Sequence, residues 1–178
     1  PTLKNAPTSL QKNVTNWTHD FLTSLLDSNL ELDEETSLSS AVEGFIESYN
    51  DQMADSTGMP GQFTIEVTDS VLMHNEKYLS LRMDAFTFTG GAHPFSTAAL
   101  ATFDLKSGKQ IRPIDLVKDL EKLYAEAEKQ FRATKKEAFD NGFDFDESWP
   151  FKLPENVALT TDGLFLCYVP YEVAPYVM

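Results

Sequence analysis

Basic residues are scarce in this chain: 14 Lys and Arg stand against 28 Asp and Glu, a formal net charge of −14. Phosphate backbones are bound by clusters of Lys and Arg, and the one basic stretch, Arg132-Ala-Thr-Lys-Lys136, is short and falls on a predicted helix. Nucleic-acid binding therefore drops out. Such acidity favours cationic partners, although it also simply keeps a protein soluble. Cys167 is the only cysteine, so no internal disulfide is available. It sits between Leu166 and Tyr168 with no neighbouring cation to stabilise a thiolate, the setting of a structural thiol. No run approaches the roughly 18 apolar residues that span a bilayer. The chain opens on the polar Pro1-Thr-Leu-Lys-Asn-Ala-Pro7, which reads as a processed start, so the missing targeting segment does not argue for the cytoplasm.

Several chemistries are missing as well. His19, His74 and His93 have no metal-ligand spacing, and no G-x-S-x-G elbow or paired Cys/His framework occurs. The acidic stretch Asp140 to Glu147 has its glycine at the third position, where a calcium loop requires the sixth. No cofactor, metal or catalytic residue is assigned, and the chain reads as a non-enzyme more readily than as an enzyme.

With 178 residues, 42% of them apolar, and 13 Phe, the chain suits one domain with a substantial core. Leu10, Val14, Trp17, Phe21 and Leu25 fall on one face of a helix from Ser9 to Asp27. Leu38, Val42, Phe45, Tyr49 and Met53 do the same for a second helix, from Thr36 to Asp55. The helical part thus covers about residues 8–56. A sheet with a long helix follows over about 62–178.

The period then changes to two. Phe63, Ile65, Val67, Val71 and Met73 alternate with polar residues, and His74-Asn-Glu-Lys77 is a hairpin turn. Leu79, Leu81, Met83 and Ala85 form the return strand. Phe86 and Phe88 shift parity, which predicts a bulge or an exchange of faces near Ala85. A third strand runs from Ala99 to Leu105, for a meander with one face covered. Asp115 is expected to cap a long helix to Ala138, followed by a loop over Phe139 to Pro154. A last hairpin joins residues 157–161 and 164–169. The class is α+β, an antiparallel sheet with helices packed on one face.

Two blocks carry unusual detail: Thr89-Gly-Gly-Ala-His-Pro94, leading to Phe103-Asp-Leu-Lys-Ser-Gly-Lys109, and Asp162-Gly-Leu164 with Pro170-Tyr-Glu-Val-Ala-Pro-Tyr176. Their order resembles the RsiV/PdaC-type domain of unknown function, over about Phe63 to Met178. The resemblance implies an extracytoplasmic bacterial domain, periplasmic, cell-surface or secreted, and often a lipoprotein or membrane-tethered. One branch is the outer part of a lysozyme-binding anti-sigma factor. Another precedes a peptidoglycan deacetylase domain. The chain has neither a sigma-binding segment nor a deacetylase domain, and it stops where the family usually continues with a glycine and another strand. A truncated or longer C-terminus, and a lipid anchor outside the chain, are the corresponding expectations.

The candidate ligand-binding residues are Gly90, Gly91, His93, Phe95, Tyr171 and Glu172. The glycines permit positive φ, and His93 either satisfies nearby carbonyls or contacts a ligand. Glu172 is a lone charge in an apolar stretch, suited to an ion pair with His93 or Arg82 or to a groove. Phe143, Phe145 and Trp149, interleaved with acids, either recognise a protein or anchor their loop. Three functions stay open: a binding domain for a cationic, lysozyme-like protein or a cell-wall glycan; a hydrolase-like, glycan-modifying enzyme around His93, Glu172 and either Asp84 or Asp162; and a structural envelope protein.

Overall fold

A computed structural model describes residues 3–26, 37–54, 62–90 and 93–176. Helices α1 (Thr8–Leu26) and α2 (Leu38–Ala54) precede a meander of β1 (Thr64–His74), β2 (Tyr78–Phe88), β3 (Phe95–Asp104) and the two-residue β4 (Gln110–Ile111), ordered β1-β2-β3-β4. A 3-10 turn, α3 (Leu120–Thr134) and α4 (Lys136–Asp140) lead to a separate hairpin, β5 (Asn156–Thr160) and β6 (Gly163–Cys167). The class is α+β.

The core begins with the odd-numbered face of β2 and β3. Leu79 and Leu81 stand opposite Phe103 and Ala101, and α1 lowers Leu10 and Val14 onto all four. Trp17 meets Phe103 edge to face at 6.1 Å. Phe103 is fully buried. The turn after β3 fixes the start of α1: Gly108, at φ +71°, lies so close that a Cβ there would come 2.4 Å from Ser9 Oγ. Asn13 Nδ2 donates to the Gly108 carbonyl at 2.7 Å.

The even-numbered face is covered too, against the expectation of a meander open on one side. Ser80 and Thr102 have no exposed surface, and their hydroxyls share a 2.9 Å hydrogen bond. The β5–β6 hairpin lies across them: the Leu159 amide donates to Thr102 Oγ1 at 3.1 Å, and Asn156 Oδ1 accepts from the Leu100 amide at 3.0 Å. Alternation alone reads Ser80 and Thr102 as solvated, because a polar position that meets a hairpin looks like one that meets water.

Three further expectations are corrected. The β1–β2 and β2–β3 ladders run unbroken through Ala85, and the irregularity lies in β1, between Val71 and Met73. Val71 is accordingly 61% exposed while Met73 is buried. Asp115 does not cap the long helix. Pro113 starts a 3-10 turn there, Val117 is extended at ψ 127°, and α3 begins only where the Asp119 carboxylate accepts from the Lys122 amide. That leaves Leu116 and Leu120 more than half exposed. The helix also breaks at Lys135, short of Ala138, so α4 is a separate turn.

Thr102→Val keeps the volume of the side chain but strips partners from the Ser80 hydroxyl and the Leu159 amide. Leaving buried polar groups unpaired costs about 1–3 kcal/mol. Urea unfolding should show a loss of that size, with the slope unchanged.

Candidate functional site

The corner after β2 and the tail after β6 meet. Gly90 holds φ +87°, a left-handed conformation that favours glycine, and turns the chain out of β2. Gly91 lies outside the described residues. His93 is exposed, and with a proton on Nδ1 it donates to the Pro94 carbonyl at 2.9 Å. The same carbonyl accepts the Tyr176 hydroxyl at 2.9 Å, across 82 positions of sequence. The two rings consequently stack, with centroids 4.2 Å apart and planes 19° from parallel. Tyr171 adds a third ring 5.8 Å from Tyr176, at 28°. Phe95, half-buried, starts β3 beneath the corner opposite Thr87.

Tyr171 is the strained member. Its φ is +68°, and its side chain is half exposed. For a residue with a bulky side chain this backbone costs about 1–2 kcal/mol. It persists because Glu172 over-determines the turn. The carboxylate accepts the Val169 amide at 3.1 Å and the Glu155 amide at 2.9 Å, and the Glu172 amide donates to the Val169 carbonyl at 3.2 Å. Val173 and Ala174, just beyond, are buried. The lone charge is therefore spent on holding the tail's shape, and its two bonds go to backbone amides.

The residues weighed for catalysis are not gathered at the corner. Asp84 forms a bidentate pair with Arg82, at 2.7 Å to Nε and 2.5 Å to Nη2, and this pairing raises the guanidinium's pKa. Asp162 occupies the exposed tip of the β5–β6 hairpin. The order of contacts, Asn156 with Leu100 and then Leu159 with Thr102, carries that tip away from the β2–β3 corner. Burial pushes the Cys167 thiol up, which opposes thiolate chemistry. Among the described residues, no group of three His, Cys, Asp or Glu could hold a metal ion.

The aromatic loop folds inward. Phe145 packs 5.7 Å from Phe131 and 5.0 Å from Phe151, and Phe143 packs 5.3 Å from Phe139. Arg132 is clamped between them: its guanidinium lies 4.7 Å from the Phe139 ring and 4.9 Å from the Phe145 ring. It also pairs with Glu128 and Asp144, each at 2.8 Å. Trp149 is half-buried, in a turn whose Asp146 carboxylate accepts the Ser148 and Trp149 amides. The packing supplies an anchoring role for Phe143 and Phe145. The stacking partner Tyr176 was not among the residues singled out from sequence, although the tail block contained it. Only the shared Pro94 carbonyl shows why it matters.

Two predictions test this architecture. Glu172→Ala exposes or orphans two backbone amides and should cost about 1–3 kcal/mol in urea unfolding, as a positioning role requires. The Arg132 pair holds the Asp144 carboxyl below its usual 3.8. A group lowered in the folded state stabilises above its unfolded value, and that contribution disappears as pH falls through the folded one. Acid titration of the wild type should therefore show a larger stability loss below about pH 3.8 than Asp144→Asn, in which the lowered Asp104 and Glu126 still titrate.

The family model described as Deacetylase PdaC matches residues 3–96, and that for a protein of unknown function, DUF3298, matches residues 114–178. No curated protein matches the chain. A DUF3298 family protein from Pseudomonas aeruginosa PAO1 is similar in fold at TM-score 0.66 and 21% identity, over 97% of this chain and 73% of that one. A member of the same family from Bacteroides fragilis gives 0.68 and 19%, over 98% and 74%.

Proposed function

Because the chain belongs to the PdaC family, with its second part in DUF3298, we propose that it is a non-enzymatic binding domain of the cell envelope. The ligand is a cationic, lysozyme-like protein or a cell-wall glycan, held at the His93–Tyr176–Tyr171 stack. One observation carries this reading: a Tyr ring is kept half exposed on a left-handed backbone, at the surface where the two motif blocks meet. Strain of this kind is retained where the surroundings enforce it, and it concentrates at ligand-contacting positions. Rigid aromatic faces suit both sugar rings and protein anchors, since they bury much area at little entropic cost. The net charge of −14 favours a basic partner and hastens its encounter at low salt. The reading also puts the domain outside the cytoplasm, and fractionation of cells making the full-length protein checks that part.

Calorimetric titration with lysozyme and with soluble peptidoglycan fragments should give saturable binding to one of the two. Tyr171→Gly relieves the backbone while removing the ring. It should weaken binding at least tenfold and leave the unfolding midpoint unchanged or higher. A lysozyme complex should loosen as salt rises, because opposite net charges assist it. Heat flow flat for both ligand classes ends the proposal.

A further inference from the structure

The β5–β6 hairpin has one open side. Its two-residue turn makes Thr160–Gly163 a hydrogen-bonded pair, so Ala158–Phe165 and Asn156–Cys167 are hydrogen-bonded pairs as well. The intervening residues of β5 point their amides away from the hairpin, and the Leu159 amide does so, meeting Thr102. By the same alternation Leu164 and Leu166 turn their N–H and C=O groups outward from β6. Among the described residues no backbone group pairs with them.

That edge borders a groove of about 690 Å³ between β6 and α3. Leu123, Ala127 and Phe131 form its helical wall. The opposite wall is the continuous run Leu164 to Tyr168, both parities together, which places the groove along the strand's edge rather than over one face. A smaller hollow shares Phe131, Lys135 and Tyr168 with it and continues to Tyr171 and Tyr176. An unpaired strand edge facing an apolar helix is the arrangement that takes an extended peptide as an added strand, the backbone giving affinity and alternate side chains the selectivity.

We infer that an extended segment of a cationic protein partner pairs with β6 in this groove, with alternate apolar side chains against α3. The inference rests on the proposed function and deepens it, by choosing a protein over a glycan and by naming how it is gripped. The five residues of β6 offer about 17 Å of strand. The chain's net charge of −14 favours basic residues on the solvent-facing positions of the incoming strand. The charged lining of the groove itself is mixed, Arg82 and Lys135 with Glu126, and Glu126 already accepts from Lys129 and Gln130.

The peptide acetyl-Lys-Val-Lys-Val-Lys-Val-amide is the probe, and amide hydrogen exchange on the full chain the readout. In the free protein the Leu164 and Leu166 amides should exchange fast, while those of Phe165 and Cys167 are protected. Saturating peptide should slow the first two at least tenfold, and an Asp-for-Lys counterpart should bind more weakly. Leu164→Pro removes one outward N–H at an edge position that tolerates proline. It should weaken the peptide at least tenfold, and Gln130→Trp, which blocks the groove from α3, should do the same should the first variant unfold. Protection of Leu164 and Leu166 without peptide would mean that the chain itself or a second copy already covers the edge. That result overturns the inference, as does a peptide that leaves residues 163–168 unperturbed. Lysozyme binding lost in Tyr171→Gly but intact in Leu164→Pro would keep the ring stack and remove the groove.

Discussion

Everything in this molecule depends on β2 and β3 being covered on both faces. On one face Phe103 and Leu81 lie under α1, a hydrophobic contact with no polar atom to satisfy. On the other, the Ser80–Thr102 bond lies under a hairpin whose own amide completes it. The first contact buries apolar surface. The second supplies position, because in this register the Leu159 amide reaches the buried Thr102 hydroxyl that already shares a hydrogen bond with Ser80. With β5 so placed, β6 and the tail have little choice of path.

That path brings the tail back to the corner. Tyr168 donates its hydroxyl to the Lys152 carbonyl, Glu172 closes the next turn, and Tyr176 arrives at the Pro94 carbonyl. The first of these polar anchors, Tyr168, is set in apolar packing around Phe131, Phe151 and Val173. The candidate site is thus a consequence of the core. Its rings stand out because the backbone beneath them is tied at several points, and it is at such over-determined positions that a left-handed tyrosine persists.

Much of this was legible beforehand from particular residues. The spacing of Leu10, Val14 and Trp17 located α1 and its buried face, and the alternation at Leu79, Leu81 and Met83 located β2. Gly90 was recognisable as a turn residue. Other features were not. Nothing local distinguishes Ser80 and Thr102 from solvated polar positions, and nothing local says that Asp119 caps α3 in place of Asp115. The second choice follows from Pro113, whose ring suits the 3-10 turn that uses up the intervening residues. Phe143 and Phe145 read equally as recognition or anchoring residues in the sequence; the structure adds that Phe139 packs on Phe143, and Arg132 and Phe131 on Phe145.

The amino-acid order by itself determined the elements and the charge of the surface, since helical and strand periodicity, turn glycines and net charge are local properties of the chain. Only the tertiary structure decided which polar groups are buried, that Glu172 serves backbone amides, and that His93 and Tyr176 share one carbonyl. Those relations join residues up to 82 positions apart. No local preference encodes such a pairing; it exists only once the hairpin has been laid across the sheet.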